Sequence, residues 1–570
     1  MVGQGGLLQL VAHGKQDVFL TGNPSKTFFK VTYSKYTNFG LQKFRVDFDG
    51  LRELRLTEQS VFTFKIPRYA ELLMDAYIVV SLPDIWSPVH HPVSPLTSSV
   101  YNTDNRWAPY DFRWIRNIGA MMIKEITITC GSLLLQKYSG EYISAMVDRD
   151  FTKDKKELFN KMTGNVPELY DPGNAFGREN AYPSAYYTAN SIGAEPSIRG
   201  RQLYIPLNAW FMLNTGSAFP LIALQYNELI INVTFRPIQE LFQVRDVYDN
   251  LYNRPYVQPH FTLPQFQMYR FLQTPPSGDI SLSNYQNKIN TWNADVHLMT
   301  TYCFLSKEET QLFASQDQVY LVKDIFQYNF ENITGTKRVK LDSNGMIANW
   351  MWYFQRNDVN LRNEWSNYTN WPYANIPSDL IINVTPAPVN TKDAKMYHYD
   401  SYTNTYYSLA NDPNDSRSTG ITTTGDFSVQ NQRAILETMG ILLNGEYREN
   451  ILTRGVYDYI EKYTRTESSA QEGLYCYNFC LNTNPFDHQP SGAINLSKFK
   501  DIFLEITTYV PPIDPINSSF DVVYDNSGNP VGIRKSNWRL YDYNFNMTLF
   551  EERYNVLSFI SGNCGMLYSR

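Results

Sequence analysis

Cysteine, charge and long apolar runs are all scarce in this chain of 570 residues. Its five cysteines are too few and too scattered for a disulfide scaffold, which favours a reducing compartment. Charged residues make up 19% and the net charge is −6, which excludes a chain-wide basic footprint for nucleic acid. No apolar run approaches the roughly 18 residues that a membrane-spanning helix needs. The N-terminus also lacks the basic and apolar regions of a secretory signal.

The motifs of common catalytic and metal sites are missing as well. There is no phosphate-binding Gly-rich loop, no His-Glu-x-x-His pair and no Gly-x-Ser-x-Gly elbow. Two adjacent carboxylate pairs, Glu308-Glu309 and Glu551-Glu552, are interpreted as solvated faces. Glycoside cleavage also uses two carboxylates, but it requires a particular distance between them in the folded chain, which the sequence does not give. We therefore predict no catalytic residue, no cofactor and no metal site.

Aromatic residues and short alternating segments dominate what is present. The chain holds 42 Tyr and 33 Phe. Apolar residues alternate with polar ones, as at Phe29, Val31 and Tyr33, and this spacing buries one face of a strand. Turn-rich stretches separate such segments, which predicts an all-β fold of sandwiches. The few helical signals are a capping box at Ser306 and a periodic segment at 446–463.

An internal repeat indicates that the sandwich occurs twice. Gly-Glu-Tyr follows a Leu-rich segment in both halves, and two further pairs of segments follow at a common offset. The paired segments are 140–142 with 445–447, 204–207 with 477–480, and 228–233 with 501–506. Each identity is weak, but the shared order predicts two copies of one β-domain.

The repeat and the composition together predict the domain organisation. We expect an N-terminal arm at 1–24, a first sandwich at 25–255 and a second at 256–570. The stretch at about 357–433 is rich in Asn, Thr and Tyr and has few segments that could bury a face, so we interpret it as a long surface loop insertion. Three sequons in this insertion are the candidate positions for any attached glycan. They are Asn367, Asn383 and Asn414.

Short sequence blocks with a family likeness occur in a fixed order along the chain. They are residues 5–12, 16–24, 27–30, 203–207, 210–211, 219–226, 304–309, 313–314, 489–497, 554–557 and 561–569. In this order the blocks resemble the major capsid proteins of nucleocytoplasmic large DNA viruses. One departure is the sequence Asp-Gln-Val-Tyr-Leu at 317–321, where the family often has His-Glu-Tyr-Leu.

The resemblance implies a double jelly roll, in which two tandem jelly-roll β-sandwiches carry a few short helices and long loop insertions. It implies a structural protein, not an enzyme, whose homotrimers are pseudo-hexameric capsomers that tile an icosahedral shell. The implied partners are neighbouring capsomers, minor capsid proteins and a penton protein. An internal viral membrane would lie beneath the shell without insertion of the chain, and nucleic acid would not be contacted directly. The implied location is the virion, after assembly in the host cytoplasm.

A second function is compatible with the residues alone. In a two-domain β-sandwich carbohydrate-binding protein or glycosidase, Tyr and Trp in loops would stack on sugar rings. Oligomeric state discriminates between the two functions, because a capsid protein is expected to trimerise whereas a lectin would be monomeric or dimeric and would hold glycan.

Overall fold

The computed structural model describes most of the chain. The described residues are 5–25, 28, 33–48, 50, 53–87, 89–90, 108–179, 181–183, 185, 195–245, 256–262, 266–275, 285–374, 397–400, 405–408, 432–487, 489–511, 521–524, 530–534 and 543–568. The predicted alternation at Phe29 and Val31 lies outside them.

The first sandwich is built on eight antiparallel strands in two sheets. They are β1 (Phe39–Val46), β2 (Ser60–Lys65), β3 (Leu72–Leu82), β4 (Ile123–Cys130), β5 (Leu133–Tyr138), β6 (Arg201–Pro206), β7 (Leu229–Phe235) and β8 (His297–Leu305). One sheet has the order β1-β8-β3-β6 and the other β2-β7-β4-β5. Phe62 and Phe64 of β2 and Ile231 and Val233 of β7 are buried between the sheets, because every second side chain of a strand points to the same face.

The second sandwich repeats this arrangement strand for strand. Its strands are β9 (Gln318–Phe330), β10 (Thr336–Lys340), β11 (Met346–Arg356), β12 (Leu436–Leu443), β13 (Glu446–Thr453), β14 (Leu474–Asn478), β15 (Ile502–Thr508) and β16 (Phe545–Ile560). The sheet orders are β9-β16-β11-β14 and β10-β15-β12-β13. The two sandwiches are jelly rolls in tandem, so the predicted fold class is confirmed.

The last strand of the first sandwich lies beyond the predicted domain boundary. Residues 298–305 of strand β8 pair with β1, and β8 pairs with β3 on its other side. A boundary after residue 255 assigns β8 to the second sandwich, whereas its pairing places it in the first. A long connection separates the end of β7 at Phe235 from the start of β8 at His297. Because of this separation, the spacing in the sequence does not show which sheet β8 joins.

Shorter elements surround the two sandwiches. Short strands occupy Val89–His90, Ala108–Pro109, Phe112–Trp114, Phe219–Pro220, Phe242–Arg245, Tyr256–Val257, Tyr397–Asp400, Thr405–Ser408, Ile494–Asn495, Asp521–Tyr524, Pro530–Arg534 and Asn563–Met566. The α-helices are Gly5–Val11, Val18–Thr21, Ile118–Met121, Gly140–Asp150, Lys153–Thr163, Pro167–Tyr170, Trp210–Leu213, Lys307–Ser315 and Glu461–Arg465, and Val456–Ile460 forms a π-helical turn. Turns of 3₁₀ helix lie at Pro172–Asn174, Thr215–Ser217, Leu221–Ala223, Ile238–Glu240, Met268–Arg270, Val359–Leu361 and Leu496–Lys498. In the described part of the chain, none of the helices has the length and apolar character needed to cross a membrane.

Of the two predicted helices, one is confirmed and one is wrong over half its length. The hydroxyl of Ser306 accepts a hydrogen bond from the backbone N–H of Glu309 and caps helix Lys307–Ser315. The segment at 446–463 begins instead as β13, and helical turns start only after Thr453. Strand β13 is an exposed edge strand, so its apolar residues form no buried helical face.

The internal repeat is confirmed at the two downstream correspondences. They fall on equivalent strands, β6 with β14 and β7 with β15. The Gly-Glu-Tyr segments are not equivalent. Residues 140–142 begin a helix after β5, whereas 445–447 form the turn from β12 into β13, one strand earlier in the repeat.

Candidate functional site

The two sandwiches meet along strand β16. Residues 550–553 of this strand are all buried. Phe550 belongs to the apolar core that also contains Ile126 of the first sandwich, whereas Leu549 belongs to a separate core within the second. Because neighbouring side chains point to opposite faces, β16 is covered by its own sandwich on one face and by the first sandwich on the other. One apolar core therefore runs through the junction.

A buried ion cluster lies in this junction around Arg149, near the C-terminal end of helix Gly140–Asp150. Its Nε and Nη2 donate to the Asp150 carboxylate at 2.9 and 2.6 Å. Nη2 also lies 2.8 Å from Glu552 Oε1, and Nη1 lies 2.7 Å from Asn349 Oδ1. Glu552 belongs to β16 and Asn349 to β11, so one side chain of the first sandwich joins two strands of the second.

The carboxylate of Glu552 is the centre of this cluster. Tyr142 Oη donates to its Oε1 and Asn349 Nδ2 to its Oε2, each at 2.9 Å, and Lys323 Nζ lies 3.8 Å away. Burial by itself raises the pKa of Glu552, but the charges of Arg149 and Lys323 and the two hydrogen bonds outweigh burial and lower the pKa to about 2. The cluster's two cations balance its two carboxylates. Since a buried unpaired charge is costly, the cluster disfavours other arrangements of the two sandwiches.

The neighbouring Glu551 is buried on the opposite face of β16. It accepts hydrogen bonds from Ser343 Oγ at 2.6 Å and Trp350 Nε1 at 2.7 Å and forms an ion pair with Arg553. The prediction of a solvated face for Glu551 and Glu552 is therefore wrong. Sequence adjacency gives no sign that a strand is covered on both faces.

A second contact between the sandwiches comes from residues 357–374, the start of the predicted surface insertion. Trp365 Nε1 donates to the backbone carbonyl of Glu240 at 2.9 Å, and Tyr373 Oη donates to that of Tyr256 at 2.6 Å. These residues pack against the first sandwich, so the insertion as predicted begins too early. A surface loop can start only after residue 374.

One of the three predicted glycosylation positions lies in this packed segment. Asn367 is 1% exposed. Its Nδ2 donates to the carbonyl of Trp371 at 2.8 Å, and its Oδ1 accepts from the N–H of Thr369 at 3.1 Å. A glycan on Nδ2 would need open space, which excludes Asn367 in the folded chain. Asn383 and Asn414 lie outside the described residues.

The comparison with known families covers both sandwiches. Residues 27–272 match the family described as "Major capsid protein N-terminus", and residues 309–565 match the family "Large eukaryotic DNA virus major capsid protein". The chain belongs to the major capsid proteins of large DNA viruses. Between the two functions compatible with the sequence, these matches support the virion structural protein over the carbohydrate-binding protein.

Individual capsid proteins agree with this assignment. The major capsid protein of Phaeocystis pouchetii virus is 25% identical over 99% of both chains. The structure of PBCV-1 VP54, fitted into a reconstruction of the virophage Sputnik, is 17% identical, covers 95% of this chain and 100% of its own, and gives a TM-score of 0.57. The Faustovirus major capsid protein is 10% identical, with coverages of 93% and 92% and a TM-score of 0.56. At these identities the two structures support the double jelly-roll fold.

This capsid protein exposes large apolar side chains at its N-terminal end. Helices Gly5–Val11 and Val18–Thr21 bury no residue, and Phe19 is 91% exposed. Phe39 and Leu41 of β1 are also exposed, on the edge strand of their sheet. Clustered apolar exposure and an open strand edge mark surfaces that other chains cover.

The described residues offer the capsid protein no evident metal centre. Over this part of the chain, no group of three or more His, Cys, Asp or Glu is placed to hold a metal ion. The features described above are the buried junction between the sandwiches and the exposed apolar N-terminal end.

Proposed function

We propose that this capsid protein forms homotrimers and that each trimer is a pseudo-hexameric capsomer of an icosahedral shell. The observation that carries the proposal is the strand-for-strand equivalence of the two sandwiches. Three chains with two equivalent sandwiches each present six similar corners, and units with six corners tile a flat lattice. A capsomer of this kind needs a fixed angle between the sandwiches, and the shared core and the cluster at Arg149 support such rigidity.

The proposed partners follow from the exposed surfaces and the charge. The apolar N-terminal arm, residues 1–24, suits contact with a neighbouring capsomer, a minor capsid protein or a penton protein. An internal viral membrane would lie beneath the shell without insertion of the chain. The net charge of −6 agrees with a shell that does not touch nucleic acid. We place the protein in the virion after assembly in the host cytoplasm.

We also propose that the insertion projects outward. An irregular segment on a lateral face would hold capsomers apart, so a segment within 375–431 is expected to project along the capsomer axis. We assign the arm at residues 1–24 to the inner side, against a neighbour or a minor capsid protein beneath the capsomer, and the insertion therefore to the outer side. Asn383 and Asn414 are then the remaining glycan candidates.

The mass of the free protein tests trimerisation. Light scattering on freshly folded protein should give about three times the chain mass of 66.1 kDa, through an interface of more than roughly 2,000 Å². The same sample in denaturant serves as the control and should give the mass of one chain. A stable, folded monomer at micromolar concentration would contradict the proposal.

A further inference from the structure

The contact between the two sandwiches of one chain uses a different surface from each. The first sandwich supplies the edge strand β5 and the helix Gly140–Asp150 that follows it. The second supplies the outer face of the sheet β9-β16-β11-β14, which is the face turned away from its own core. Gln136 Nε2 of β5 donates to the carbonyl of Lys323 at 3.2 Å, and the ring of Tyr142 on the helix lies 5.5 Å from that of Phe550. Since the two sandwiches are equivalent, each also has the other kind of surface, which this contact leaves uncovered.

The uncovered edge surface lies on the second sandwich, at residues 446–463. Strand β13 is the counterpart of β5 and is likewise the edge of its sheet. Every residue of β13 is exposed or half-buried, whereas Leu135, Gln136 and Tyr138 of β5 are buried. Helical turns follow β13 as the helix follows β5. The large exposed apolar side chains of the 446–463 surface include Ile451, Tyr459, Ile460 and Tyr463. Such a cluster marks a surface that another chain covers.

The uncovered face lies on the sheet β1-β8-β3-β6 of the first sandwich, and a β-bulge fixes its correspondence with the covered face. In the second sandwich, Asn349 of β11 pairs with Glu552 of β16, and the register then shifts by one residue. In the first, Asp75 of β3 pairs with Thr301 of β8, and the register shifts in the same direction. Asp75 therefore occupies the position of Asn349, and Thr301 that of Glu552.

Matched positions on the two faces differ in how far they are covered. Phe550 and Met351 are fully buried at the junction, whereas their counterparts Met299 and Tyr77 are only half-buried. Strand β1 forms the edge beside them, and its alternate residues point to the same side of the sheet. The apolar side chains that are partly or largely exposed on this β1 face include Phe39, Leu41, Tyr77 and Met299.

We propose that the 446–463 surface of one chain packs against the β1 face of the next chain. This inference rests on the proposed function, since it names the surfaces through which the trimer forms. The contact is head-to-tail, because it joins two different surfaces, and such a contact can close into a ring. Around the ring it alternates with the junction inside each chain, so six sandwiches correspond to three chains.

The contact between chains differs from the junction inside a chain in its chemistry. Thr301 stands where the junction has Glu552, so the buried ion cluster around Arg149 is not repeated between chains. Burial of the apolar side chains on both surfaces therefore supplies the association. A charge introduced on either surface is expected to prevent it, because the partner surface offers an apolar environment.

Hydroxyl-radical footprinting of the wild-type trimer tests the 446–463 surface without any variant. Tyr463 is 91% exposed in the single chain, and the matched control Tyr226, which lies on neither surface, is 74% exposed. Peptide mass spectrometry should show Tyr463 oxidised several-fold more slowly than Tyr226. Oxidation of Tyr463 as fast as that of Tyr226 in a trimer would overturn the proposal.

Two variants test whether these two surfaces meet each other. Ile460→Asp changes the 446–463 surface and Leu41→Asp changes the β1 face, at positions that are about half exposed, so both chains should fold. Each variant alone should give about 66.1 kDa in light scattering, and the control Tyr226→Asp should stay trimeric. An equimolar mixture of the two variants should form heterodimers, because each keeps the surface that the other lacks. A mixture that associates no more than either variant alone would contradict the pairing.

The outcomes separate this inference from the proposed function. A monomeric wild type would contradict trimerisation and this inference with it. If the wild type is trimeric and both variants, shown to be folded by circular dichroism, also remain trimeric, the pairing of surfaces is overturned while the trimer stands.

Discussion

The buried ion cluster makes Glu552 the most informative single position in the junction, and we predict that Glu552→Gln strongly destabilises the chain. The amide oxygen can still accept from Arg149 or Tyr142. The amide nitrogen must then face Asn349 Nδ2, which is a donor and contacts Oε2 at 2.9 Å in the native protein. Asn349 cannot simply flip, because its Oδ1 accepts from Arg149 at 2.7 Å.

The magnitude follows from the charge that the substitution removes. Without the carboxylate, the cluster changes from balanced to a net positive charge in a buried site. Removal of one partner from a buried ion pair costs about 3–5 kcal/mol. The lowered pKa of Glu552 has the same sign, since it means that the folded chain stabilises the charged carboxylate.

Urea unfolding at fixed protein concentration measures this loss, because oligomer stability depends on concentration. The matched control is Glu58→Gln, which also removes a carboxylate from an ion pair, with Arg55, but at a site where Glu58 is 72% exposed. An exposed pair of this kind contributes at most about 1 kcal/mol. If Glu552→Gln is no more destabilising than Glu58→Gln, the buried cluster does not stabilise the junction.

Three further predictions concern pH, the arm and the insertion. Because folding lowers the pKa of Glu552, the stability that its carboxylate contributes is fully present above about pH 4.5 and is lost as the pH falls towards 2. The urea midpoint of the wild type should therefore drop across this pH window more than the midpoint of Glu552→Gln. Deletion of residues 1–20 should leave trimers in light scattering but impair shell formation in electron micrographs; normal shells would show that the arm has no role in assembly. Antibodies against residues 375–431 should label intact virions, and labelling only of broken particles would place the insertion inside.

The strands that bury one face were accessible from the sequence, because alternation follows directly from strand geometry. The correspondence of β7 with β15 was visible for the same reason, since both alternate buried and partly exposed residues. The capping box at Ser306 is likewise a local signal, and the structure contains the helix that it predicts.

The features that were missed depend on how each segment packs in the folded chain. An acidic residue such as Glu552 is expected at the solvated surface. Only its contact with Arg149, which is far away in the sequence, makes it a buried ion-pair partner. Asn367 matches a glycosylation sequon, but its side-chain amide is hydrogen-bonded to the carbonyl of Trp371 in a turn that packs against the first sandwich. No sequence pattern within strand β8 indicates which sheet the strand joins. The pattern of residues within one segment carries no information about which distant surface covers that segment.

An electron cryo-microscopy map of a shell that contains this protein would show directly how many chains build each capsomer. We expect threefold capsomers with six similar corners, in which each chain fills two adjacent corners with its two sandwiches. A capsomer built from six chains, or one in which the two sandwiches of a chain occupy separate capsomers, would contradict the proposed assembly.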